Sequence, residues 1–247
     1  MSGPPSDKPG SAPRAAAVKV PATALELVQA LDKTFREQVR RALDFSLDGS
    51  IESLAFVDHY LRMAADESRE PIIGLIAGGA GAYFGNLVAD KLGATWIGDG
   101  RTPRRLRLLM TPQLIHFSPV DQAYEAICSR ALSPDDPRIA DGPAFDSSFQ
   151  LRVNEPPDDE HEDDDDDDDD LEVGAAVKPE GVQDDATWLE ERLGELSPVP
   201  EDQFHSLTTR FETLQLMLEL LAGKHAHEGR SPRDLALSDY AAALRPA

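Results

Sequence analysis

Residues 71–93 read PIIGLIAGGAGAYFGNLVADKLG, and the way this stretch folds decides the architecture of the chain. It has no charged side chain from Ile72 through Ala89, a run that holds five glycines. Three readings compete. In the first, Ile72–Ala77 is a strand, Gly79, Gly81 and Gly85 form a phosphate-cradling turn, and Asp99 closes the next strand to hold a ribose, with Arg101 placed for a 2′-phosphate. That would make a nucleotide-cofactor-dependent enzyme. In the second, the stretch spans a membrane, since its length reaches the lower limit and Gly74/Gly78 and Gly81/Gly85 are GxxxG pairs. The flanking Arg69, Glu70, Asp90 and Lys91 give that reading no charge asymmetry. In the third, it is a helix buried in the core, its small residues letting neighbours come close and Gly93 stopping it.

The flanks favour the third reading. Upstream, Thr23 with Glu26 forms a capping box, and Leu25, Val28, Leu31, Phe35, Val39 and Ala42 repeat at helical spacing. Ser50 can cap a second helix with Ile51, Leu54, Val57 and Leu61 on one face, broken at Asp66 to Pro71. Downstream, three short strands are expected at 94–97, 105–110 and 114–117, with Gly98, Asp99 and Gly100 as turn residues. Arg105 and Arg107 alternate with Leu106 and Leu108, which predicts one covered and one wet sheet face. Ser118, Pro119 and Asp121 then start a helix carrying Val120, Tyr124 and Ile127. The downstream hairpin pattern departs from the repeated strand–helix units of a dinucleotide fold. The expected class is therefore α+β, a small antiparallel sheet flanked by helices over residues 21–154.

Charge divides the rest of the chain. Its 247 residues carry a formal charge of −22, with 40% apolar residues, enough for a core. The excess is local: residues 155–172 hold 14 acidic residues and no Lys or Arg, including the run Asp163–Asp170. Adjacent aspartates repel and bury no apolar surface, so 155–185 reads as a solvated acidic linker. It acts either as a spacer or as a docking segment for a basic protein surface. It lacks the glycine and spaced glutamate of a calcium loop, and no metal or cofactor is expected. An acidic chain repels phosphate backbones, so no nucleic-acid partner is expected. Residues 1–20, rich in Pro, Gly, Ser and Ala, read as a loose tail.

Beyond the linker, residues 186–247 read as a separate helical module. Trp188, Leu189, Leu193 and Leu196 suggest a short helix. Phe204, Leu207, Phe211, Leu214, Leu218 and Leu221 then step by three and four, the spacing of a heptad seam. That seam either packs within the chain or joins a partner helix or a second copy. Ser231, Pro232 and Asp234 repeat the earlier cap and would launch a last helix with Leu237, Tyr240, Ala241 and Leu244. Arg101, Arg104, Arg105 and Arg107 form a conspicuous basic cluster, either on the wet sheet face or against the acidic linker in an autoinhibitory contact.

The catalytic residue types do not assemble. His59 and His116 read as ordinary structural or surface residues, and His225 and His227 as complements to a helix C-terminus. Cys128, the single cysteine, follows Ile127 on an apolar face and reads as packing in a reducing cytosol.

The order SLAFVDHYL (53–61), GAYFGNLV closing the glycine-rich stretch, Trp96 after Gly93, and LIHFSPVDQAYEAI (114–127) resembles an uncharacterised bacterial domain family with a GAYxGE, GxxW and Pro-Phe core, over about residues 50–130. Where that pattern carries an acidic residue, this chain has Asn86. The resemblance implies an intracellular α+β domain and carries over no catalytic residue. Taken together, the expectation is a non-enzymatic cytoplasmic interaction or regulatory protein that neither enters a membrane nor binds nucleic acid.

Overall fold

The computed structural model describes residues 23–151 and 184–243. The expected tail 1–20 and nearly all of the acidic linker lie outside them, as does Leu244. Thr23 caps α1 (Ala24–Leu43), its hydroxyl accepting from the Glu26 amide at 3.2 Å. Leu27, Val28, Phe35 and Val39 bury one face, while Leu25 turns outward. α2 (Leu54–Met63) begins later than a Ser50 cap implies, because the Ser50 carbonyl and hydroxyl accept from the Ser53 amide in a preceding turn. α3 (Glu70–Val88) follows and is prolonged by a π-helical turn, Ala89–Gly93, which ends as Gly93 takes φ +78°.

The glycine-rich stretch is thus helical throughout, and its glycines are contact points. A Cβ on Gly79 would sit 2.8 Å from Cβ of Phe35, one on Gly81 would sit 2.7 Å from Cα of Val120, and one on Gly85 would sit 2.2 Å from the Trp96 ring. The cofactor reading of Gly79, Gly81, Gly85 and Asp99 is therefore corrected. The amides that would cradle phosphate lie inside a helix, and Asp99 Oδ1 is occupied by the amides of Arg101 and Thr102. Residues 70–93 are long and apolar enough to cross a membrane by length and composition, yet 72% of the apolar window is buried inside the fold. Neighbouring elements account for that apolar surface.

The sheet is antiparallel, in the order β1 (Ala94–Ile97), β2 (Arg107–Met110), β3 (Ile115–Phe117) and β4 (Gln150–Leu151). A 3₁₀ turn, Pro103–Arg105, occupies the start of the strand expected at 105. The pleat sends Leu108, Met110, Ile115 and Phe117 into the core and Leu109 and His116 to the opposite face. That second face was expected to be wet, and the structure corrects this. α8 (Leu237–Ala243) covers it with Tyr240, whose hydroxyl lies 2.6, 2.8 and 3.0 Å from the carbonyls of Met110, Gln113 and Ile115. The Tyr240 ring also meets His116 edge-on.

α4 (Pro119–Cys128) starts at Ser118, whose hydroxyl accepts from the Asp121 amide. α5 (Asp185–Gly194), α6 (Glu201–Phe204) and α7 (Leu207–His227) follow the acidic stretch. Leu207, Phe211, Leu214, Leu218 and Leu221 share one continuous core with residues of α2, α3 and α4. The expected separate C-terminal module is therefore corrected: α7 needs the body to bury its apolar face, and the body needs α7. Nor do Ser231, Pro232 and Asp234 launch a helix. Residues 231–236 are irregular, and the Ala236 amide donates to Asp239 just before α8 begins.

Candidate interaction site

The arginines singled out by sequence do not share a surface. Arg104 is buried, its Nε 3.0 Å from Asp121 Oδ1, while its Nη atoms donate to the carbonyls of Ala140 and Pro143 at 2.8 and 3.0 Å. The second Asp121 oxygen accepts from the Asp146 amide at 3.1 Å. Burial pushes the Asp121 carboxyl above its ordinary value against the pull of Arg104. This pair pins the loop before β4 onto α4, which is a structural duty. Arg107 is half-buried and donates to the carbonyls of Arg104 and Leu106; burial lowers its guanidinium. Arg105 is exposed and paired with Asp99 at 3.3 Å. The basic cluster is corrected accordingly, because two of its four side chains, Arg104 and Arg107, face inward and only Arg101 and Arg105 are exposed.

The heptad seam is also spent within the chain. Leu207, Phe211, Leu214, Leu218 and Leu221 are buried, and Phe204 alone of the six is exposed, at 49%. Two carboxylates hold the start of α7. Asp58 of α2 accepts from the amides of Leu207 and Thr208 at 2.8 and 3.1 Å and from the Thr208 hydroxyl. Glu125 of α4 accepts from Arg210 at 2.7 Å and from the Leu132 amide at 3.2 Å, and lies 3.2 Å from His205 Nδ1. Self-association through the C-terminal helix, as read from the seam, is therefore corrected. In this fold the seam has its partner already. Cys128 is half-buried, and burial pushes its thiol up, consistent with packing.

The open feature lies where the chain leaves and rejoins the described body. A cleft of about 530 Å³ has Leu114, Leu151, Ala222 and Leu235 on its walls and His225, Arg230 and Arg233 among its polar residues. Leu151, the last residue of β4, and Asp185, the first of α5, both border it. Asp185 gathers Lys224, His225 Nε2 at 2.9 Å and Arg230 Nη2 at 2.9 Å. Burial alone would raise its carboxyl, but the hydrogen bonds from Arg230, Lys224 and His225 outweigh that and hold it well below the usual carboxylate range. Sequence reasoning missed this cluster. The one usable signal was His225, read as a helix-end complement, which the structure pairs with a carboxylate.

The residues of the bacterial resemblance meet in a second network. Asn86 donates from Nδ2 to Asp32 at 3.2 Å and accepts at Oδ1 from the Trp96 indole at 3.0 Å. Arg36 donates to Asp32 and lies over the Tyr83 ring, and the Tyr83 hydroxyl meets Ser53. An amide suits position 86 for a physical reason. A carboxylate there would face Asp32 with like charge, whereas Asn supplies a donor to one neighbour and an acceptor to the other. Comparison of the chain with known protein families, curated proteins and solved structures gives no match. The functional reading rests on the chain's own geometry.

Proposed function

We propose that the protein is a non-enzymatic interaction or regulatory protein of the cytoplasm, and that its acidic stretch, residues 155–172, docks a basic surface on a protein partner. The observation that carries this reading is that Leu151 and Asp185 border one cleft. The 14 carboxylates are therefore tethered at both ends to one edge of the body, the arrangement a charged docking arm needs. The polar clusters favour it too: Arg104–Asp121, Asp58 with the start of α7, and Glu125 with Arg210 each tie one element to another.

Proximity labelling with the intact chain, alongside a chain lacking 155–172, tests the reading. A partner labelled only by the intact chain is then purified and titrated in increasing salt. Electrostatic docking predicts that affinity falls steeply between about 50 and 200 mM salt. Equal labelling by both chains, with salt-insensitive binding, would refute it.

A further inference from the structure

Three peptide bonds in the chain join an aspartate to a glycine: Asp48–Gly49, Asp99–Gly100 and Asp141–Gly142. Such a bond rearranges without an enzyme when its atoms can meet. The glycine amide nitrogen, with no side chain beside it to hinder approach, attacks the side-chain carboxyl carbon of the aspartate, and a five-membered succinimide closes as one water leaves. Water then adds back at either carbonyl of the ring. One product is aspartate again and the other is isoaspartate, in which the main chain runs through Cβ. The rearrangement needs a carboxyl and an amide that are both unengaged, and the structure supplies the two together at one pair only.

At Asp48–Gly49 the Gly49 amide donates to the Tyr83 hydroxyl at 3.2 Å, and Asp48 Oδ1 accepts from the Ser50 amide at 2.9 Å. At Asp99–Gly100 the carboxylate accepts from the amides of Arg101 and Thr102 and pairs with Arg105, while Gly100 is buried against the Thr23 backbone. Hydrogen bonds from Ser50 lower the Asp48 carboxyl, and those from the amides of Thr102 and Arg101 lower that of Asp99. Since the neutral carboxyl is the form that yields to attack, this protects both pairs further. Asp141 and Gly142 are exposed, and neither the Asp141 carboxylate nor the Gly142 amide has a hydrogen-bond partner among the described residues.

We propose that Asp141–Gly142 is a site of spontaneous isomerisation in the folded chain, and that isoaspartate there releases the loop before β4. The residues beside this bond are the loop's fastenings. Arg104 donates to the carbonyls of Ala140 and Pro143, one on each side of the bond, and the Ala140 amide donates to the Tyr124 hydroxyl at 3.2 Å. Isoaspartate inserts a methylene into the main chain between those two carbonyls. The buried, planar guanidinium of Arg104 then faces acceptors whose spacing no longer fits its fork.

The test keeps the full chain at neutral pH and physiological temperature, folded or in guanidinium chloride, in heavy-oxygen water. Each succinimide that hydrolyses then leaves a label, even where aspartate re-forms. Peptide mass spectrometry, with fragmentation that separates isoaspartate from aspartate, reads the three pairs. In denaturant all three are expected to take up label, whereas in the folded chain label and isoaspartate are expected at Asp141 alone among them. Asp141→Glu keeps the charge, would need a six-membered ring, and is expected to abolish both at that position. The aged folded chain is expected to exchange its Ala140 and Asp146 amides several-fold faster than fresh chain, and aged Asp141→Glu to exchange as fresh chain does. Folded chain that labels Asp48 or Asp99 as much as Asp141, or labels Asp141 only in denaturant, would overturn the proposed site. Unchanged exchange in chain carrying isoaspartate at 141 would overturn the release of the loop.

Discussion

α3 and α7 are of similar length, 19 and 21 residues, and both feed one core, yet they are held in opposite ways. α3 is buried on nearly every side and is packed through absent side chains, with Phe35, Val120 and Trp96 closing on Gly79, Gly81 and Gly85. α7 buries one stripe of large side chains and depends on Asp58, 149 residues earlier in sequence, to receive its first amides. The lesson is about volume. A helix that admits its neighbours' backbone fails when atoms are added, and one that plugs a groove fails when they are removed.

The largest effect expected is at α7. Phe211→Ala empties a fully enclosed site in the seam and is expected to cost about 3–5 kcal/mol in denaturant unfolding. Next is Gly81→Ala, where the new methyl would press on the backbone of Pro119 and Val120. Overpacking of about 1–3 kcal/mol exceeds the gain of up to about 1 kcal/mol in helix propensity, so the fold loses stability. The same change at Gly223 in α7, where a Cβ meets nothing within 4 Å, is expected to stabilise by about 0.5–1 kcal/mol. Equal signs at the two glycines would break the comparison. Asp58→Ala removes the cap on α7 from outside the helix and is expected to cost about 2 kcal/mol, with hydrogen exchange rising first at Leu207 and Thr208.

How far the sequence led can be argued from the same elements. The capping box at Thr23, the N-cap at Ser118, the alternation around Leu108 and the uncharged run of α3 are local signals, and each produced the element expected. What was illegible depends on distant residues. Nothing in the seam of α7 says that α2 and α4 supply its groove, since a heptad pattern records an apolar face and not its occupant. The arginines of RRLR look like a wet face, but Arg104 finds Asp121 and two carbonyls only after the chain returns at Ala140 and Pro143. β4 has two residues, too few for any alternation to show. The Asp185 cluster joins the last turn of α7, and Arg230 just beyond it, to the start of α5, and no spacing rule connects them.

Acid provides a further test of how α5 and α7 are joined. The Asp185 carboxyl is depressed in the folded chain by Arg230, Lys224 and His225. A group lowered on folding contributes stability that is present above its unfolded value, near pH 4, and lost as pH falls through its folded value. Melting of the intact chain is therefore expected to decline below about pH 4, and Asp185→Asn is expected to be less stable at neutral pH with a shallower decline. Parallel acid limbs for the two proteins would assign the loss to other carboxylates.

The smallest effect concerns the stretch that separates the two helices. Because Leu151 and Asp185 border one cleft, residues 152–183 close a loop whose ends already lie close, and the body does not need that length to bring α7 home. Closure entropy changes by about 0.6 kcal/mol per doubling of loop length, so removing 155–172 is expected to stabilise the fold by roughly that amount. It also removes 14 like charges from the chain, which adds to the gain at low salt and little at high salt. Chemical denaturation of both chains at two ionic strengths reads the two contributions separately. If instead the shortened chain lost several kcal/mol, or the seam of α7 became accessible to exchange, the acidic stretch would be holding α7 in place, and α7 would owe its position to the tether as well as to its groove.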